Sequence, residues 1–561
     1  VNNLPKMNSK LPRIFLLLLG VVLTINLLQA YFTPLIFDEA YYWHFAQNMA
    51  WGYFDHPPMV AFMIKLGSYL FEGELGVRLV GCILSAGTFI VIWLCIDNPK
   101  KNDYVFPFFV LIFSMALFNA YGFFTLPDTP LLFFTALLLY VYKRFLQDTS
   151  SRWAIIMGIV MACLMYSKYN AAIIIICILL SNLKLLANKY AWLSIVVALF
   201  CYIPHFIWLY QNDFVTISYH LFDRPNSPYK FEKYTVGYFV NLVAIFGLTF
   251  PWIYQSLFKT RASDTFTKAL LYLTYGVLIF FFISSFNRRV QTQWIIVIAI
   301  PLAIITFRYM MKNEETKRWI LRIGLVNIAI ILYLRVGLIY EELSPIYYET
   351  HGNKEVALQM KAEVGDTPLV FINSYRNAPM FAFYTGNPTY SLNDAYYRRN
   401  QYSIDDSESK IQHQRVLFFN RNAKNAKISF TKSNGGQFHG EYFDDFESFR
   451  KLETIVEGPI LLDTVNKQTL KIYNPYDTPV ALKKLRFNVV YMTAFKKIEN
   501  AILIDPKPVD EKVLNLAAND TTYFTFSLPQ PKMTKPAFLR VGISDNNLPF
   551  GINGKNTKIS Y

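Results

Sequence analysis

The amino-acid sequence predicts a polytopic α-helical membrane protein followed by a smaller soluble region. Three observations carry this prediction. The chain of 561 residues is 53% hydrophobic and 17% aromatic but only 17% charged, which is too apolar for a wholly water-soluble protein. Its apolar residues are concentrated in runs that end near residue 340, after which the composition turns soluble. Basic residues gather in the links between alternate runs, the pattern that orients a multi-spanning chain.

The runs are 11–31, 75–96, 104–121, 127–143, 154–167, 170–183, 191–210, 237–257, 269–286, 294–308 and 319–339, each near or somewhat below bilayer-crossing length. The first follows Lys6, Lys10 and Arg13. Its long apolar core, with no small-residue cleavage site after it, predicts a retained signal-anchor and a cytoplasmic N-terminus. Runs 154–167 and 170–183 are short, and fusing them would invert every later loop. The charge count opposes that: with about 11 spans, eighteen Lys and Arg fall on the cytoplasmic side against seven on the other. An odd number of spans places the C-terminal region outside, in the periplasm where the cell has one. The net charge of +15 therefore orients helices and predicts no nucleic-acid partner. The five cysteines lie in or beside apolar runs without metal-ligand spacing and read as packing residues.

Residues 1–340 thus form a transmembrane domain. Residues 341–410 read as a small α/β module, with a strand at 368–372 between two helices. Residues 411–561 read as a β-sandwich-like domain, from short alternating runs such as 415–419, 469–473, 485–491 and 523–528.

Within the membrane part, the outer loop 33–74 is too long for a connector. It reads as two interfacial amphipathic helices, 38–50 and 58–71, with Gly52 ending the first and Pro57-Pro58 opening the second. Asp38, Tyr42, Phe45 and Met49 share one face of the first. A second outer loop, 211–236, carries Tyr219-His220 and Arg224 and reads as a lid. The Ser167-Lys168-Tyr169-Asn170 break is expected to lie recessed and to present a lysine to a wet cavity.

Asp38, Glu39, Asp55, His56, Arg78, Asp128, Lys168, His220, Arg288 and Arg289 all map to the outer ends of runs or to outer loops. One-sided clustering of ionisable groups marks a site. Taken singly, Asp38 and Asp128 also fit helix N-caps, and Arg78 a snorkelling anchor. Lys168 and the Arg288-Arg289 pair oppose the orientation signal, which favours a functional role. A carboxylate beside cationic groups at a membrane surface suits an acceptor hydroxyl and a phosphate leaving group. Asp38 would take the hydroxyl proton, and Arg, Lys or His would offset charge on the departing phosphate. Glu39, with Asp128 or His56, either positions Asp38 or binds a divalent cation, for which Asp38, Glu39 and Asp128 are the candidate ligands. The spacing is compatible with both.

The ordered set Phe37-Asp38-Glu39-Ala40-Tyr41-Tyr42, Phe54-Asp55-His56-Pro57-Pro58, Val77-Arg78-Leu79, Leu126-Pro127-Asp128-Thr129-Pro130, Ser167-Lys168-Tyr169 and Pro204-His205 through Trp208 to Tyr219-His220 resembles the GT-C membrane glycosyltransferases. The likeness covers residues 10–340 and is nearest the bacterial branch related to protein O-mannosyltransferases and the lipid A aminoarabinose transferase. Arg288 to Trp294 looks like that family's outer basic segment. Ser374–Ala378, Phe383–Gly386 and Arg398–Tyr402 look like the soluble module of some relatives. The resemblance implies a polyprenyl-phosphate sugar donor, inversion at the anomeric carbon and catalysis by Asp38. Glu39 would assist it, and Tyr42, His56, Arg78, Asp128, Lys168, His220, Arg288 and Arg289 would serve as substrate-binding residues. No β-trefoil between spans is legible, which favours a lipid or envelope-glycan acceptor over a protein one. A lipid or solute transporter would instead place its ionisable groups near the midplane at broken helices, which only the Lys168 break resembles. A scaffold would leave the outer charges dispensable.

Overall fold

The computed structural model describes residues 11–224, 226–420, 426, 428–462 and 467–560; Lys6 and Lys10 lie outside the described residues. The chain forms two compact units. One comprises Val1–Asp213 with Tyr229–His351, and the other joins Phe214–Pro228 to Gly352–Tyr561.

Among the described residues of the first unit, eight helices are long and apolar enough to cross a membrane: Arg13–Phe32, Gly73–Leu94, Asp128–Gln147, Lys189–Gln211, Glu232–Lys259, Thr265–Ser285, Thr292–Met310 and Glu314–Ile339. The other three expected runs form shorter helices, Ser151–Ser167, Ala171–Ser181 and the interrupted pair Val105–Phe113 and Ala116–Ala120. The interruption is stable because its polar groups are met inside the protein. Ser114 Oγ donates to Leu111 O at 3.0 Å, and Asn327 Nδ2 donates to Ser114 O at 2.5 Å. Three helices that start at the expected cytoplasmic end, Lys189–Gln211, Thr265–Ser285 and Glu314–Ile339, carry side-chain caps. Asn188, Asp264 and Asn313 accept from backbone N–H groups of Tyr190, Thr267 and Thr316. At that same end Lys143 pairs with Asp97 at 2.6 Å, and Lys101 donates to Trp93 O and Ile96 O. The core is aromatic and β-branched, from Phe15 through Trp93 and Phe108 to Phe307.

Loop 33–74 does fold as two helices, but shorter ones, Phe37–Gln47 and Met59–Ser68. The first stops before Gly52 because Tyr53 intercepts its end. The Tyr53 hydroxyl lies 3.0 Å from Phe45 O and accepts from Ala50 N at 3.1 Å, with its ring stacked on Phe45 at 4.3 Å. Nor is this helix merely interfacial: Glu39, Ala40, Tyr41, Tyr42, Phe45 and Ala46 are buried.

In the second unit, helices Asn353–Val364 and Asn377–Thr385 accompany a mixed five-stranded sheet. Its order is Thr389–Leu392, Leu369–Ile372, Gln414–Phe419, Gln437–Phe446 and Ile428–Thr431. Leu369–Phe371 pairs parallel with Leu417–Phe419, so this sheet runs through residue 410 and on to Phe446. Beyond it, Ile498–Ile504, Leu485–Met492, Phe538–Asp545, Thr557–Ser560 and Ile460–Leu461 form one sheet. Lys507–Pro508, Asp520–Ser527, Lys467–Asn474 and Glu453–Glu457 form another. Alternate residues (Phe487, Val489, Tyr491, Val541; Leu470, Ile472, Phe524, Phe526) fill one core, as a sandwich requires. All five cysteines are free thiols.

Candidate functional site

The site begins where the first helix hands the chain to Phe37–Gln47. Glu39 falls in the first turn of that helix, and both Glu39 and Arg78 are 0% exposed. Arg78 Nε and Nη2 grip Glu39 Oε1 and Oε2 at 2.8 and 2.5 Å. The remaining guanidinium N–H groups donate to Ala30 O at 3.1 Å, Pro34 O at 3.0 Å and Thr33 O, so all five are engaged. Glu39 also accepts from Ile36 N at 3.3 Å and Thr125 N at 2.9 Å. This single ion pair therefore ties together the 30–34 link, the start of Phe37–Gln47, the helix Gly73–Leu94 and the segment before Asp128.

Asp38 is the next residue back, and it is exposed. It stands at a helix N-terminus, where the backbone dipole favours a carboxylate. The N–H of Phe37 at that terminus donates to Glu349 Oε2 at 3.1 Å. Tyr121, itself buried, lies within electrostatic reach of both Asp38 and Asp128.

Asp128 opens its helix and is buried, and its Oδ1 accepts from Lys168 Nζ at 2.7 Å. The expectation that Lys168 faces a wet cavity gives way here: the lysine is 8% exposed and its charge is directed at Asp128. From the same break, Tyr169 OH lies 3.0 Å from His205 Nε2, and His205 Nδ1 lies 2.6 Å from Trp51 O. The helix carrying His205 is thereby fastened to loop 33–74. Gly52 is obligatory at this seam, since a Cβ there would meet the Trp208 ring at 2.2–2.7 Å.

Of the sequence-predicted residues, the structure brings Asp38, Glu39, Arg78, Asp128 and Lys168 to one end of the first unit. Tyr42 is buried with its ring edge-on to half-buried His56 at 5.4 Å, and Asp55 is buried. Arg288 is half-buried and Arg289 exposed in the link from Thr265–Ser285 to Thr292–Met310. The end of that link is anchored by Asn241, which donates to Val290 O at 2.9 Å and accepts from Thr292 Oγ1 at 2.7 Å. His220 belongs to the second unit, half-buried in a π-helical turn at Tyr219–Asp223. In that unit Arg398 donates to Tyr219 OH at 2.6 Å and stacks on Tyr375 at 4.2 Å. Among the described residues, no three His, Cys, Asp or Glu side chains gather as a metal-ligand set, so Asp38, Glu39 and Asp128 are not assembled as one. The reading of the sequence gave no role to Glu349, Thr125, Tyr121, His205 or Arg335. Arg335 had a visible signal, a lone arginine inside an apolar run. Thr125 contributes only a backbone N–H, for which sequence holds none.

The comparisons with known proteins agree with this architecture. The dolichyl-phosphate-mannose-protein mannosyltransferase family model matches residues 55–208, a stretch that includes Arg78, Asp128, Lys168 and His205. Lipid A galacturonosyltransferase RgtD of Rhizobium johnstonii is 22% identical over 276 residues, covering 47% of this chain and 58% of that protein. The chain thus matches somewhat over half the length of this curated relative. Crystal structures of ArnT from Cupriavidus metallidurans, in the apo state and bound to undecaprenyl phosphate, superpose with a TM-score of 0.53. Identity is 14% and 13%, and the match covers 72% of this chain and 92% of that one. The chain has the GT-C fold of membrane glycosyltransferases with a strand-rich C-terminal region, as the sequence resemblance implied.

Proposed function

We propose that this protein is an inverting membrane glycosyltransferase. It moves a monosaccharide from a polyprenyl-phosphate carrier to a lipid or envelope-glycan acceptor at the outer face of the bacterial inner membrane. The observation that carries the reading is the contrast between neighbours: Glu39 is locked to Arg78 inside the protein while Asp38, one residue away, is exposed at the helix start. On this reading Asp38 accepts the proton of the attacking hydroxyl, and Glu39 and Arg78 are positioning residues that fix its place. On the same reading Asp128 orients Lys168, whose ammonium it holds at 2.7 Å. Arg288 and Arg289 are the proposed phosphate-binding residues, offsetting charge as the carrier phosphate leaves. A phosphate departs as a weak base, so the scheme needs no strong general acid. The undecaprenyl phosphate bound by ArnT and the lipid A named for RgtD support the carrier and acceptor classes. A protein acceptor is the second reading, favoured by the description of the matching family model.

The test is to incubate purified protein with a panel of polyprenyl-phosphate sugars and acceptors, beside Asp38→Asn. Carrier-dependent transfer, with turnover in the variant reduced about 10²–10⁴-fold at unchanged folding and donor binding, is expected. Near-normal transfer by Asp38→Asn would remove Asp38 from the chemistry, and consumption of no donor would remove the function.

A further inference from the structure

The second unit carries an open cavity of about 290 Å³ that the proposed reaction does not use. Asp394, Tyr396, Asn488, Leu503, Pro549 and Phe550 line it, all of them within that unit. One water needs only about 10–15 Å³, so this space is far beyond a single solvent molecule and approaches the ~300 Å³ at which small-molecule sites begin.

Strands and turns brace the cavity before any ligand arrives. Asn488 lies within strand Leu485–Met492, on the face turned away from the sandwich core, level with Leu503 on one side and Gly542 on the other. A Cβ at 542 would meet Asn488 Oδ1 at 2.7 Å and Gly551 O at 2.9 Å, so the glycine leaves room for the amide and for the 549–551 turn. The Asp394 wall is strapped to that turn: residue 394 bridges Gly551, and Ala395 N donates to Phe550 O at 2.7 Å. Asp394 Oδ1 accepts from Tyr396 N at 2.9 Å, which fixes the tyrosine backbone beside the carboxylate.

On this frame the lining groups are largely unspent. Asn488 is 4% exposed, and its Oδ1 has no hydrogen-bond partner among the described residues. Tyr396 and Leu503 are 70% and 68% exposed, although both are large and apolar. Among the described residues no lysine or arginine lines the cavity. This combination selects a ligand. An acyl chain would strand the carboxylate and the amide, which need hydrogen bonds once water leaves. A phosphate or a uronate would meet the Asp394 charge with no lining cation to offset it. A pyranose ring suits every part: its C–H face covers tyrosine and leucine, and its rim of hydroxyls bonds to a carboxylate and an amide.

We propose that this cavity binds one uncharged pyranose residue of a glycan, held by Tyr396 and Leu503 on its apolar face and by Asp394 and Asn488 at its hydroxyls. The inference does not rest on the proposed transfer reaction, and its test uses no donor.

The experiment is saturation-transfer NMR on the intact chain in a detergent without a sugar headgroup, since alkyl glycosides would compete for the site. The probes are methyl pyranosides of neutral hexoses beside their phosphorylated and uronic-acid counterparts. The neutral pyranosides should receive saturation, strongest on their ring C–H protons, and the charged forms little. Tyr396→Ala should weaken binding about tenfold with an unchanged unfolding midpoint, whereas Tyr396→Phe, which keeps the ring, should bind as wild type does. Leu503→Asp, on a different strand, should weaken binding likewise. No transfer to any neutral pyranoside, equal transfer to the charged forms, or undiminished binding in Tyr396→Ala would each overturn the proposal.

Discussion

Glu39→Gln tests whether the Glu39–Arg78 pair is the keystone of the site. Both side chains are 0% exposed, so solvent does not screen the loss. Two of the five guanidinium N–H groups point at the carboxylate, at 2.8 and 2.5 Å. The amide would keep one acceptor, but its NH₂ would face Arg78 Nη2, or Nε if flipped, a donor against a donor. Arg78 would then be a buried cation held only by the carbonyls of Ala30, Thr33 and Pro34. Breaking such a pair costs about 3–5 kcal/mol, a factor of roughly 10²–10³·⁵ in the folded population. Arg78→Met should cost about the same. The double variant should cost much less than the sum, because neither charge is stranded. The assay is a double-mutant cycle on reversible unfolding of the detergent-solubilised chain, read beside transfer activity. Additive losses, or single losses below about 1 kcal/mol, would refute the reasoning, since no buried charge could then depend on its partner.

Lys168→Met strands the Asp128 carboxylate and should destabilise by about 3–5 kcal/mol, with Asp128→Asn in the same chain recovering most of it; the same unfolding cycle checks this. Gly52→Ala drives a Cβ to within 2.2 Å of Trp208 and should cost about 1–3 kcal/mol, read as earlier proteolysis of loop 33–74. In the second unit Glu408 accepts from Tyr476 OH at 2.6 Å, Ser448 Oγ at 2.8 Å and Arg450 N at 2.8 Å. Burial, the largest influence, nevertheless raises its carboxyl above the ordinary 4.5. A group whose folded pKa is raised gives its stabilisation fully below the unfolded value and loses it as pH climbs through the folded one. Unfolding midpoints of Glu408→Gln and wild type, followed from pH 4 to 8, should therefore converge or cross in the variant's favour as pH rises. A gap that widens against the variant would show the opposite sign.

How much of the site could be read in the chain differs from residue to residue. Asp38-Glu39 was visible as a pair, but not which member is locked away. That depends on Arg78 reaching across from another helix, 39 positions on. Lys168 was visible as a misplaced charge, yet its partner 40 positions earlier was not. The end of the first loop helix at Gln47 was misjudged because Tyr53, an ordinary aromatic in sequence, captures its carbonyls. Glu349 carries no signal in the sequence, and only the fold places it on the Phe37 amide, 312 positions away.

By itself the sequence determined the membrane class, the run-by-run succession of helices, the sorting of basic links and the strand-rich character of the C-terminal region. These follow from hydrophobic transfer and from local periodicity, which act on each segment separately. Only the tertiary structure decided which charges neutralise one another, where the cavity beside Asp394 and Asn488 lies and which carboxylate is left exposed. Those are properties of groups far apart in the chain, and they acquire energies only when packing removes water from between them.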